Sequence, residues 1–209
     1  MNHAVVTGGA SGLGLALATR LHDEGWAVDL WDLNAAGLEA ALAGRERVGR
    51  RVVDVRSAEA VRRAFEELRA APQLVFHAAG LCHVGDLETL QLDECRMDME
   101  VNYFGTVHVL HAAAARLPSG SHVICVASVA GLKGLPEFAG YGATKFAVLG
   151  FCESVEGRAS SGGAELPCRS SVPRPWPRRW CGTSPTTPRC THSFPSPTSA
   201  RWWKRCSAE

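Results

Sequence analysis

The sequence predicts a doubly wound α/β fold, a parallel sheet with helices on both faces, and three observations carry that prediction. Short apolar runs alternate with helix-patterned segments from residue 3 to about 156. The runs are rich in Val, Leu and Ile, as strands buried on both faces require. Three glycines, Gly8, Gly12 and Gly14, sit between the first run and the first helical segment. Such βαβα order demands right-handed crossovers between parallel strands.

The strands are expected in HAVVTG, WAVDLWD, GRRVVDV, QLVFHAAG and SHVICVAS. Helices are expected at 12–24, about 34–43, about 57–70, 92–116 and 141–156. In SAEAVRRAFEELRAA, Val61, Phe65 and Leu68 recur at helical spacing, and Ser57 stands where a cap belongs. At 209 residues the chain suits one domain with a sizeable core. A net charge of +1 points to neither nucleic acid nor an anionic membrane. No apolar run approaches the ~18–20 residues of a bilayer span, and the N-terminus does not read as a signal peptide, so a cytoplasmic location is expected. The eight cysteines show no zinc-like spacing and are expected as free thiols, with no metal.

The glycine trio follows a strand and opens a helix, the setting in which backbone N–H groups and the helix dipole receive a pyrophosphate. Gly8, Ser11, Gly12, Leu13 and Gly14 are therefore candidate cofactor contacts. Asp32 ends the second strand, 18 residues after Gly14. A carboxylate there accepts from both adenosine ribose hydroxyls and repels a 2′-phosphate. Ser11 in the loop and Leu33 next to Asp32 add no cation, so NAD is expected over NADP. Asp54 and Val55, closing the third strand, are placed at the adenine pocket.

Tyr141 and Lys145 open the last helix at i and i+4, one turn apart on one face. An ammonium beside a phenol lowers its pKa and makes it a usable acid or base for a carbonyl/alcohol pair. Ser128, at the end of the preceding strand, is placed to bond the substrate oxygen. Asn102, in MEVNYFG, is placed to hold a water that relays protons to Lys145.

With TGGASGLG, Asp54-Val55, HAAG at 77–80, Asn102, Ser128 and YGATK, residues 3 to about 156 resemble the single-domain branch of the short-chain dehydrogenase/reductase family. The resemblance implies a seven-stranded Rossmann-type sheet, usually in dimers or tetramers built on the two long helices. It also implies Tyr141 as proton donor and acceptor, Ser128 as orienter, Lys145 on the nicotinamide ribose and Asn102 completing the relay. Ala78, Ala79 and Gly80 would line the ribose. The substrate would be a small alcohol or carbonyl compound. The family usually carries Asn-Asn-Ala-Gly where this chain has His77-Ala78-Ala79-Gly80, so loss of an amide brace is expected at Ala78, with His77 as a packed histidine.

Residues 157–209 depart from that pattern. Over 167–209 there is no Leu or Ile and only Val172, against eight of the eleven prolines and four of the six tryptophans. Such a segment lacks the apolar faces that offset ordering entropy, so an irregular or disordered tail without the family's last strands is expected. The boundary is set at 156, giving a cofactor-binding catalytic domain over 1–156. Two explanations of the tail stand open, a natural disordered extension and a shifted reading frame; for the second, GC-rich codons chosen for Glu165–Pro177 and read from the third base permit Ala-Ala-Val-Ser-Val-Val-Cys-Pro, a buried strand and a proline turn. The leading expectation is an NAD-dependent oxidoreductase acting on an alcohol or ketone. The alternative is a protein of the same ancestry that binds NAD and turns over poorly, because its substrate-loop region is missing.

Overall fold

The computed structural model describes residues 2–159 and 168–171, and these lie in one compact unit spanning 1–173. Six parallel strands run β1 (His3–Thr7), β2 (Ala27–Asp32), β3 (Val48–Val52), β4 (Leu74–His77), β5 (His122–Val126) and β6 (Cys168–Ser171). Their order in the sheet is β3-β2-β1-β4-β5-β6. The chain therefore steps outward from β1 to β3, then crosses back to β4. That reversal opens a crevice beyond the carboxyl ends of β1 and β4, where ligands bind in such sheets.

The helices are α1 (Gly12–Asp23), α2 (Ala35–Ala40), α3 (Ala58–Glu66), α4 (Leu92–Asp98), α5 (Gly105–Ala114) and α6 (Ala139–Ala159). One core cluster joins α3, α5 and α6 to the sheet through Val61, Phe65, Val75, Val109, Val123 and Val148. Trp31 and Phe65 meet edge to face there, 4.8 Å between centroids. The opposite face packs Val6, Leu30 and Phe76 against Ala18, Leu21 and Leu38 of α1 and α2. All five residues of β1 are buried, as expected for the central strand of a doubly covered sheet.

Three differences from expectation have physical causes. Helix α2 stops at Ala40, because Arg50 reaches across from β3 and donates to the carbonyls of Leu38, Ala41 and Leu42, closing its C-terminal end. The expected helix over 92–116 is broken into α4 and α5 by a π-helical turn, Met99–Phe104, which contains Asn102. A sixth strand stands where none was expected after 156: β6 pairs with β5 in the register Val123↔Cys168 to Val126↔Ser171. A ladder is made by backbone groups, so a segment poor in aliphatic side chains still forms one. Residues 160–167 and 172–209 lie outside the described residues. With them lie the seventh strand implied by the resemblance and the expectation of an irregular tail.

Candidate active site

The carboxyl ends of β1, β2, β4 and β5 bring the predicted residues to one crevice. At the end of β1, Gly8 has φ +66° and packs on the Ala78-Ala79 backbone, where an added Cβ would stand 2.9 Å from Ala78 C and Ala79 N. A Cβ on Gly14 would run into the Gly8 carbonyl, and Gly12 has φ +51°. The loop is therefore a close three-way contact that side chains would wedge open. Ser11 is the N-cap of α1, yet its hydroxyl makes no capping bond, so the helix start is served by no side chain. Leu13, half exposed, stands in the first turn of α1.

Asp32 is held by two backbone donors: Ala10 N–H at 3.1 Å on Oδ2 and Asn34 N–H at 2.9 Å on Oδ1. The first ties the carboxylate to the glycine loop. Leu33 beside it is 60% exposed. Asp54 is engaged by its neighbour Arg56, which donates to both carboxylate oxygens at 2.6–3.0 Å. That pairing holds the Asp54 carboxyl below the usual carboxylate range. Val55 is buried, and its carbonyl accepts from His108 Nδ1 at 2.9 Å.

At the end of β4 the brace expected from an amide is made differently. Thr7 Oγ1 accepts from Ala78 N–H and Ala79 N–H, both at 3.2 Å, and lies 2.7 Å from His77 Nδ1. With both lone pairs engaged, the Thr7 hydroxyl donates to Nδ1 and the proton of the neutral ring sits on Nε2. Nε2 is buried and has no partner. Burial, with the Lys145 charge second, holds the imidazole down at about 3. His77 is thus a packed, neutral histidine.

Ser128 follows β5 and caps a short 3₁₀ turn, Val129–Gly131, by accepting from Ala130 N–H at 3.2 Å. Tyr141, in the first turn of α6, has the Ser128 side chain near enough to act against the rise in its pKa. Lys145 is buried, donates from Nζ to the Val126 carbonyl at 3.0 Å, and stands 5.6 Å from the Tyr141 ring centroid. The expectation that this ammonium lowers the phenol's pKa is corrected here. Burial, above all, raises the Tyr141 pKa, with only the Ser128 hydrogen bond opposing it. The reason is direction: Nζ is turned toward a main-chain carbonyl and lies over the ring. Burial lowers the pKa of Lys145 itself.

The Asn102 side chain bonds protein groups through both its amide oxygen and its amide nitrogen. Its Oδ1 accepts from Leu81 N–H at 2.8 Å, and Nδ2 donates to the Leu81 carbonyl at 2.8 Å and to Thr144 Oγ1 at 2.9 Å. Its own carbonyl accepts from the Thr106 hydroxyl at 2.6 Å. The side chain ties the segment after β4 to α6, and the bonds expected for a relay water are taken by protein groups. Gly80 lies between the two: a Cβ there would stand 3.0 Å from Asn102 Oδ1 and 3.7 Å from Lys145 Nζ.

Four residues in and around this site escaped the sequence reading: Thr7, Thr144, Asp98 and His83. Asp98 is 1% exposed and accepts from both the His83 backbone N–H (3.2 Å) and ring Nδ1–H (2.8 Å). A usable signal was present, a carboxylate four residues before Asn102 and so on the same helical face. Among the described residues no three His, Cys, Asp or Glu side chains converge as a metal site, and no helix is long and apolar enough to cross a membrane.

The family described as short chain dehydrogenase matches residues 2–162. A 2-dehydro-3-deoxy-L-rhamnonate dehydrogenase (NAD(+)) of Sphingomonas sp. (strain SKA58) is 32% identical over 158 residues, 73% of this chain and 64% of its own length. A D-threitol dehydrogenase of Mycolicibacterium smegmatis is 31% identical over 156 residues, 70% of this chain and 60% of its own. The chain thus spans less than two thirds of the length of these relatives. Among solved structures, a short-chain dehydrogenase/reductase from Vibrio parahaemolyticus superposes with TM-score 0.74 at 27% identity, covering 81% of this chain and 82% of that one. One from Burkholderia phymatum, in complex with NAD, gives 0.73 at 26%, covering 82% and 64%.

Proposed function

The chain belongs to the short-chain dehydrogenase/reductase family, and from that membership we propose that it is an NAD-dependent oxidoreductase acting on a small alcohol or ketone. The observation that carries the reading is the meeting of Tyr141, Ser128 and Lys145 at one end of the crevice whose other end is the glycine loop. The residues present fit a dinucleotide: the Gly8–Gly14 contact leaves backbone N–H groups at the start of α1 for the pyrophosphate, and Asp32 is held by backbone for the ribose diol. A 2′-phosphate would meet the Asp32 charge, which favours NAD. Gly80 and Lys145, which stand together, would hold the nicotinamide ribose, with Ala78 and Ala79 packed against Gly8 of the loop. When bound, the nicotinamide gives or takes a hydride at the substrate carbon.

The chain's own groups handle the proton. In the reducing direction the Tyr141 O–H donates to the carbonyl oxygen as negative charge develops, and the Ser128 hydroxyl donates to the same oxygen. The Lys145 ammonium, made a stronger acid by burial and 5.6 Å from the ring centroid, is the nearby group from which Tyr141 regains its proton. In the oxidising direction the raised pKa makes the Tyr141 phenolate a strong base toward the alcohol. A cytoplasmic homodimer or homotetramer is the setting this reading expects, and it takes the catalytic domain past residue 156, through β6.

Two variants test the proposal. Tyr141→Phe should lower ketone reduction by at least about 10²-fold while leaving the NADH-induced rise in melting temperature in place. Asp32→Ala should weaken NADH and narrow the NADH/NADPH preference. An active Tyr141→Phe protein, or a wild-type protein that prefers NADPH, would overturn the assignment.

A further inference from the structure

The geometry points to the His83–Asp98 pair as a second recognition point in the crevice, one that takes a hydroxyl group of the substrate away from the reacting carbon. The inference rests on the proposed oxidoreductase reading and adds to it a substrate class, hydroxylated ketones and diols. Asp98 and Asn102 stand four residues apart across the end of α4 and the π turn, and each binds the segment after β4. Asn102 takes the N–H and C=O of Leu81; Asp98 takes the N–H and ring Nδ1–H of His83. Two buried side chains thus clamp Leu81–His83 as a neighbouring strand would.

The clamped segment adjoins the reacting groups. Cys82, at its centre, and Asp98, at its edge, both act electrostatically on Tyr141 and on Lys145. Partial burial and the Asp98 carboxylate push the Cys82 thiol up to about 11, so it stays protonated and takes no nucleophilic part. Two residues beyond His83, Gly85 N–H donates at 2.9 Å to the carbonyl of Glu137, whose backbone is held in the left-handed region at φ +66°. Next to it, Phe138 meets the Tyr141 ring edge on, 6.2 Å between centroids. The segment that carries His83 thus meets the loop before α6, whose Phe138 touches the Tyr141 ring. Its side chain is about one-third exposed, against 1% for Asp98.

The chemistry of the pair selects the ligand. With Nδ1–H bonded to Asp98, Nε2 is the ring nitrogen left to a ligand, and a ring carrying only that proton presents a lone pair there. That lone pair accepts from an O–H and gains nothing from an alkyl group, a carbonyl or an ether. A site built to bond a substrate hydroxyl discriminates strongly against the analogue that lacks it.

The test uses the full chain with NADH, comparing 3-hydroxy-2-butanone with 2-butanone. His83→Asn keeps a donor for Asp98 and removes the atom at Nε2; His83→Phe removes both nitrogens. The ratio of kcat/KM for the hydroxyketone over the plain ketone should favour the hydroxyketone in the wild type and fall by about tenfold or more in both variants. A ratio unchanged in both variants would make the pair a structural clamp and overturn the inference. A second readout does not need turnover: the rise in melting temperature of the NADH-bound protein with each ketone. A hydroxyketone-specific rise that His83→Asn abolishes supports the inference, and its absence from the wild type overturns it. Retained NADH binding and a hydroxyketone-specific rise without turnover would sink the oxidoreductase reading alone.

Discussion

The imidazole of His77 is buried and neutral, with Nε2 unpartnered, and those facts fix its dependence on pH. Its pKa is near 6.5 in the unfolded chain and about 3 in the fold. Above 6.5 neither state binds the proton, and the histidine leaves stability independent of pH. Below 6.5 the unfolded chain takes up a proton that the folded one refuses. Stability then falls by about 1.4 kcal/mol per pH unit until pH approaches 3. His77→Asn keeps an acceptor for the Thr7 hydroxyl and cannot titrate. Urea unfolding between pH 7 and 4.5 should show a shallower acid-side loss for His77→Asn than for the wild type; identical slopes would mean that other groups carry the effect. Asp54 contributes in the same sense and more weakly, since its carboxyl, lowered mainly by Arg56, is stabilising above its unfolded pKa and loses that as it is protonated.

At the scale of elements, the π turn Met99–Phe104 changes what the long helix can do. It sits between Asp98 and Thr106 and carries the Asn102 side chain onto Leu81 and Thr144, so one residue joins β4's exit loop to α6. Asn102→Ala would leave the Leu81 N–H, the Leu81 carbonyl and the Thr144 hydroxyl to find other partners. Chemical denaturation should show a loss of about 3 kcal/mol, with a parallel loss of ketone reduction. A loss under about 1 kcal/mol would mean that water replaces the amide. The strands and most helices were legible in the sequence because burial on both faces writes itself as apolar runs, as in AVV and LVF. The π turn was not, because it is stabilised by bonds to Leu81 that no local pattern records. The same holds for His83 and Asp98, 15 residues apart and joined only by the fold. β6 was hidden for another reason: its pairing with β5 is made by backbone groups, while the sequence signal sought was aliphatic. That Tyr141 and Lys145 stand together was legible since they share a helix, yet the direction of Nζ, and with it the sign of the phenol's shift, belongs to tertiary structure.

At the scale of the whole molecule, every candidate contact to the dinucleotide comes from the carboxyl end of a strand or the helix that follows it, between Gly8 and Lys145. Among the described residues the last strand of the sheet that carries them is β6, to Ser171, and the compact unit runs to Pro173. The composition of the remaining 36 residues, Arg174–Glu209, supplies no aliphatic side chain larger than alanine. No candidate contact to the dinucleotide falls among them, so the cofactor crevice should depend little on them. A chain ending at Pro173 should therefore show the same NADH-induced rise in melting temperature as the full chain, since ligand stabilisation depends only on ligand concentration and affinity. It should also be more soluble, because four tryptophans leave with the segment. Loss of the NADH response on truncation would show that 174–209 supports the crevice, and that the expectation of a tail foreign to the fold is mistaken. Retention of the response in the shorter chain would place the cofactor contacts within residues 1–173.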